Sequence, residues 1–274
     1  MQLGIFAKTF DGKDAGEIFR AARAAGYETV QFNMACAGLA ALPDDIPPGI
    51  AAAVRSASAE TPIAIAAVSA TYNMVHPDVE QRRAGLRKLQ IIASAASQMG
   101  TQLITLCTGT RDPLDQWRHH PDNNSIEAWD DLIYEMHKAV AIAAEYNVQL
   151  GIEPEHANVV CDANAAKRLI TAIASTRIRV VIDPANLVAA DSFVEQHAII
   201  AHAVELLGPH ICMAHAKDRK RNGDVASVGR GDIDFAHFIK CLRNTNFDGP
   251  LITHGLTAAE APGVCQHLQG LLAK

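Results

Sequence analysis

The feature that most constrains this chain is a repeat of eight short apolar runs, each followed by an amphipathic stretch. The runs cover residues 3–7, 29–33, 63–69, 103–107, 149–153, 179–183, 211–215 and 251–254. They are continuously apolar rather than alternating. That is the pattern of parallel strands covered on both faces, since a strand with one wet face alternates. The stretches between them carry helical period. Leu132, Met136, Ala139, Val140 and Ala143 share one face, as do Leu86, Leu89, Ala93 and Ala96, and also Phe235, Phe238, Ile239 and Leu242. Gly26 and Gly100 stand where the first and third helices stop. Asp78 with Gln81, and Thr257 with Glu260, read as capping boxes opening the third and last helices.

Eight βα units in 274 residues, without a linker or low-complexity tract, predict a single (β/α)8 barrel spanning residues 1–274. The competing arrangement is a doubly wound open sheet. No G-x-G-x-x-G or Walker-type loop follows any strand, which weakens it. The longest connections are 108–124 after strand 4 and 216–234 after strand 7. Both leave C-terminal strand ends, where barrel enzymes keep their chemistry.

Composition narrows the function classes. With 49% hydrophobic and 20% charged residues, the chain can bury a large core. A net charge of -6 without a basic cluster argues against nucleic acid or an anionic membrane as partner. Cys36, Cys107, Cys161, Cys212, Cys241 and Cys265 form no C-x-x-C pair and read as reduced thiols, and the N-terminus carries no export signal. A cytoplasmic protein is therefore expected. The uncharged stretch 89–110 raises a membrane question, but Gln90, Ser94, Gln98, Gly100 and Gln102 interrupt it. A helix end, a glycine stop and a buried strand explain it better.

Four successive strands end on a potential metal ligand: Glu153, Asp183, His215 and His254. A barrel arranges strand ends in a ring, so strands 5 to 8 would aim these side chains at one spot. Two carboxylates with imidazoles suit one divalent ion such as Mn, Zn, Co, Fe or Mg. Any one of these residues alone reads as well as a helix cap or loop anchor; four in succession favour the metal.

Other groups follow the same strand ends. His156 and Glu155 come directly after Glu153, and Glu155 reads equally as a surface carboxylate. Asn186 can contact substrate, ligate or cap the next helix. Lys217 and Asp218 follow His215, with a surface ion pair as their bland reading. Arg230, in GRGDID, can bind an anion or simply sit in a turn. After strand 3, Tyr72, Asn73 and His76 can line a pocket, although His76 before Pro77 can equally be a packed loop residue. After strand 4, Trp117, His119 and His120 can form a lid, or a surface loop with one anchoring Trp. Cys107 has no activating base and reads as core.

On the segments LGIEPEHANVV, VVIDPANL, AHAKD, VGRGDIDF and GPLITHGL, the chain resembles the sugar phosphate isomerase/epimerase family of xylose-isomerase-like barrels. That resemblance covers essentially the whole chain. It implies one divalent ion held by a Glu after strand 5, an Asp after strand 6, a His after strand 7 and a Glu after strand 8. Glu153, Asp183 and His215 match the first three positions; His254 stands where the fourth Glu is expected. In the keto-sugar epimerases, the two glutamates exchange a proton with an enediolate. The resemblance therefore implies an isomerase or epimerase of a small keto- or aldo-sugar, with Glu153 and His254 as acid/base groups. His76, His156, Asn186, Lys217 and Arg230 would contact substrate. A metal-dependent dehydratase or lyase of a keto-inositol or keto-sugar is the alternative, because β-elimination starts with the same proton abstraction. A non-catalytic sugar-binding barrel is the third reading. Apolar helices allow a homodimer without indicating one.

Overall fold

The computed structural model describes residues 1–274. Eight parallel strands close into a barrel in chain order: β1 (Gln2–Phe6), β2 (Thr29–Phe32), β3 (Ala64–Ser69), β4 (Leu103–Cys107), β5 (Gln149–Glu153), β6 (Ile178–Ile182), β7 (Ile211–Ala216) and β8 (Pro250–Thr253). The first and last strands close the ring with Leu3 beside Leu251 and Ile5 beside Thr253. This is the closed barrel, not the open sheet. Eight main helices alternate with the strands: α1 (Ala15–Ala24), α2 (Ile50–Glu60), α3 (Val79–Met99), α4 (Ile126–Glu145), α5 (Ala163–Ile173), α6 (Gln196–Leu207), α7 (Phe235–Asn244) and α8 (Ala261–Leu272). No helix is long and apolar enough to cross a membrane. The uncharged stretch at 89–110 resolves into the end of α3, Gly100 in the left-handed region as its cap, and buried β4.

Polar side chains open several of the helices; Asp78 caps α3 alone, since Gln81 makes no reciprocal bond and the expected box does not form. Asp14, Asp78, Ser125 and Asp162 each accept a hydrogen bond from a first-turn backbone N–H, worth about 1 kcal/mol apiece. The box at Thr257 sits earlier than expected. Glu260 accepts from the Thr257 N–H and hydroxyl, but in a turn ahead of α8, which begins at Ala261.

Two apolar clusters hold the fold. The larger lies between strands and helices. The smaller packs Ala67, Leu103, Val181, Met213 and Ile252 together. The strand period of two connects this smaller cluster to the chemistry. Two residues beyond Leu103, Val181, Met213 and Ile252 come Thr105, Asp183, His215 and His254. An apolar plug therefore supports a polar layer at the C-terminal ends of the strands.

Candidate metal centre

Each of the four strand-end residues reaches one point. Ligand atoms of Glu153, Asp183, His215 and His254 all lie within 4.8 Å of one another. Asp183 directly follows β6 and precedes Pro184, whose ring fixes the backbone for a short helical turn, Pro184–Leu187. One Asp183 oxygen, Oδ1, accepts from Ala185 N at 2.9 Å and caps that turn. The other, Oδ2, is buried without a hydrogen bond, as is His254 Nε2 3.4 Å away. Leaving such groups unpaired costs about 1–3 kcal/mol each. Both aim at the common point, and a cation there would satisfy both.

The Glu153–His215 pair makes the same case. Glu153 Oε1 and His215 Nδ1 are 3.1 Å apart, both buried. On the far side of the ring, His215 Nε2 is 2.7 Å from Gln31 Oε1, whose own amide N–H donates to Thr105 Oγ1 at 3.1 Å. Gln31 thus fixes a hydrogen on Nε2 and turns the Nδ1 lone pair toward Glu153. Two lone-pair bearers face each other, so a proton or a metal ion must sit between them. Carboxylate oxygens and imidazole nitrogens are a donor set that suits a borderline divalent ion. The residues therefore fit one.

The surrounding charge tunes these groups. Burial pushes the Glu153 carboxyl up, but neighbouring His215 outweighs it and holds it below the ordinary range. Burial also opposes ionisation of Asp183; Lys217 and the two imidazoles overcome it and leave it strongly acidic. Burial pulls His215 down and Glu153 more than compensates, so it is raised. Burial lowers His254 against the pull of Asp183, which keeps this imidazole neutral and its lone pair free.

Two of the expected substrate residues join the site. Asn186 donates to Glu153 Oε1 at 2.7 Å and accepts from Lys217 Nζ. Lys217 Nζ is also 3.5 Å from Asp183 Oδ2, so it faces inward and makes no surface ion pair with Asp218. Asp218 is buried and accepts from Gly229, Gly231 and Ile233 N–H, which ties down the long connection after β7.

Three others stand elsewhere. His156 lies beside a separate cavity with Leu187 and His202, because the chain turns back at Glu155, whose N–H donates to Val160 O. Arg230 is carried outward by the glycines that wrap Asp218 and lies near Glu260 and His267. His76 lines an outer cavity, with Nε2 against Pro113 O and Nδ1 accepting from Asp78 N. Glu155 is pushed up to about 7 by burial, against the pull of Lys217. Cys107 is buried and its thiol is raised well above its ordinary value by that burial.

A cavity of about 360 Å³ opens above Glu153, His215 and His254, with Asp183 fully buried behind them, and is walled by Phe6, Lys8, Gln31, Asn33, Thr105 and Trp117 among others. The polar side chains from the first four strands were not expected. The signal for Gln31 was present, since an amide inside an otherwise apolar run needs a buried partner.

No curated protein matches the chain. Among solved structures, it is similar to a D-tagatose 3-epimerase-like protein (TM-score 0.77, 13% identity, covering 100% of this chain and 97% of that one). It is also similar to the 3-keto-D-glucoside 4-epimerase of E. coli (TM-score 0.75, 17% identity, 100% of both chains). A fusion of a xylose isomerase-like barrel with a 4-hydroxyphenylpyruvate dioxygenase matches at TM-score 0.76 and 16% identity; 99% of this chain aligns, spanning 42% of the fusion. At these identities the likeness is one of fold. The family profile of xylose isomerase-like TIM barrels matches residues 19–270, and the chain belongs to that family.

Proposed function

We propose that this barrel is a divalent-metal-dependent isomerase or epimerase of a small sugar. The observation that carries the reading is the convergence of Glu153, Asp183, His215 and His254 beneath an open cavity, two of their atoms buried and unpaired. Sugar epimerases among the structural neighbours support it. When bound by these four side chains, a divalent ion supplies Lewis acidity toward a substrate carbonyl.

The chain's own residues then divide the proton work. Glu153 Oε1 is committed to Asn186 and His215, whereas Oε2 has no partner within the chain. Oε2 takes the proton from the carbon next to the carbonyl, and the substrate becomes an enediolate. His254 Nε2 would spend its lone pair on the ion, so a water in the cavity returns the proton on the opposite side. Lys217 and Asn186 hold Glu153 and Asp183 in place and offer donors to substrate hydroxyls. The apolar plug beneath keeps water from the strand side.

A second reading, elimination of water from a keto-sugar, is favoured by one feature. Only one of the two acid/base positions is a carboxylate, so no second carboxylate returns a proton to the opposite face, and Glu153 can instead pass the proton it took to a departing hydroxyl. Incubating the Mn²⁺-, Co²⁺- and Zn²⁺-loaded chain with ketohexoses in D₂O tests both. Isomerisation or epimerisation incorporates solvent deuterium next to the carbonyl with mass otherwise retained. Dehydration loses water. If no metal form exchanges deuterium into, or changes, any sugar or glycoside tested, the proposal fails.

A further inference from the structure

The cavity above the ligands does not end at Trp117. A second cavity of about 510 Å³ continues outward, and Leu42, Thr71, Gln116 and Trp117 wall both. Trp117 comes from the long connection after β4 and is 52% exposed. Small-molecule sites run from about 300 to 1,000 Å³, so the inner cavity alone already has room for one sugar ring.

Opposite Trp117, the outer cavity is bounded by α3. Gly85 lets the Tyr72 ring lie flat on this helix; a Cβ there would meet the ring at 2.0 Å. The charges around the outer cavity are already committed. Lys88 pairs with Asp44 at 3.3 Å, and Asp112 holds Arg118 while accepting backbone N–H bonds from Leu114 and Asp115. Both ring nitrogens of His76 are also engaged. Asp115, whose Oδ1 accepts from Trp117 N–H, adds an exposed carboxylate that repels anions, and the remaining groups are neutral. Gln81 and Gln116 make no side-chain hydrogen bond within the chain, beside an exposed indole. Free amides and an aromatic face recognise a hydroxylated, uncharged ring. A phosphate or carboxylate would find no free cation here.

We infer that the substrate is a glycoside or disaccharide: its reacting ring lies over the metal ligands, and a neutral second ring occupies the outer cavity against Trp117. This rests on the sugar reading of the inner site. It goes beyond that reading by giving the substrate a second unit and excluding an anionic one there.

Binding to the Mn²⁺-loaded chain tests it, by calorimetry and by tryptophan fluorescence. The chain has two tryptophans. Trp129, stacked under Arg168, is replaced by Phe so that fluorescence reports Trp117 alone. The probes are D-fructose with its glucosyl disaccharide maltulose, D-glucose with maltose, and D-fructose 6-phosphate. At least one disaccharide is expected to bind about tenfold tighter than its monosaccharide, the gain of burying one ring face, and to perturb Trp117 emission.

Trp117→Ala should bring that ratio close to one, and Trp117→Phe should keep most of it. Ala84→Trp, which fills the outer cavity from α3, should also abolish it. A ratio near one in the unmodified chain overturns the inference, as does a ratio unchanged in both blocking variants. A larger gain for the 6-phosphate also overturns it. Deuterium exchange reads the inner site separately. Exchange with a ratio near one leaves the proposed activity standing and removes the second-ring site. A tenfold ratio without exchange does the reverse.

Discussion

The two halves of the barrel rim solve opposite problems. Strands β1 to β4 bring neutral polar groups that satisfy one another. Asn33 donates to Ser69 Oγ at 2.7 Å, and Gln31 donates to Thr105 Oγ1. Strands β5 to β8 bring two carboxylates and two imidazoles, leaving Asp183 Oδ2 and His254 Nε2 buried without hydrogen bonds. A fold selected for stability alone would pair or remove such groups. We read the first half as scaffold and the second, where hydrogen bonds are left unmade, as the candidate site. Gln31 belongs to both, because its amide spans from Thr105 to His215.

The sharpest way to break this division is Glu153→Gln. The amide keeps shape and burial but loses basicity, so turnover should fall about 10²–10⁴-fold. The melting temperature of the metal-free chain should change far less. Steady-state rates at saturating Mn²⁺ check this; unchanged turnover would remove Glu153 as the base. His254→Ala comes next. Losing a direct ligand should weaken Mn²⁺ by about 100-fold or more, beyond the 10–100-fold typical of outer partners. Competition with a chelator measures it, and an indifferent affinity would show that His254 never ligates. His254→Glu restores the carboxylate expected from the family resemblance and should retain the metal.

Protonation separates the halves as well. His215 is raised by Glu153 in the folded chain. Its proton therefore stabilises the metal-free fold fully below the ordinary imidazole range, and that contribution fades as pH rises through the raised value. A metal ion competes for the same lone pair, so its effect runs the other way. The Mn²⁺-induced rise in melting temperature should be small near about pH 5.5 and grow toward about pH 8. A flat increment across that range would mean that His215 does not exchange its proton for the metal.

The charged half was legible in the sequence and the neutral half was not. Glu153, Asp183, His215 and His254 each close an apolar run, and barrel topology converts that linear regularity into a ring. Asn186 and Lys217 were legible because they follow an expected ligand by three and two residues. His156, three residues past Glu153, and Arg230, far along the connection after β7, are both turned away by backbone bonds. The Glu155–Val160 turn displaces one and the glycines around Asp218 displace the other. Such turns are set by hydrogen bonds of backbone N–H groups within the loops, which the spacing of strand ends does not encode. The continuity of the two cavities at Trp117 was hidden because it needs β3, α3 and the connection after β4 to meet.

Two variants of the neutral half give the smaller effects and test whether it is only scaffold. Gln31→Leu removes the acceptor that fixes the His215 ring but leaves a similar volume. Metal affinity should fall about tenfold, the lower end for a group behind a ligand. Asn33→Ala removes the bond to Ser69 and the cap on Ala35 N–H. It should lower stability by about 1–2 kcal/mol, read as a drop of a few degrees in melting temperature, and leave the chelator-competition constant within about twofold. If Asn33→Ala instead weakens Mn²⁺ as much as Gln31→Leu does, the neutral half holds the ligands as one network. The boundary between scaffold and site would then lie beyond Gln31, at the far wall of the barrel.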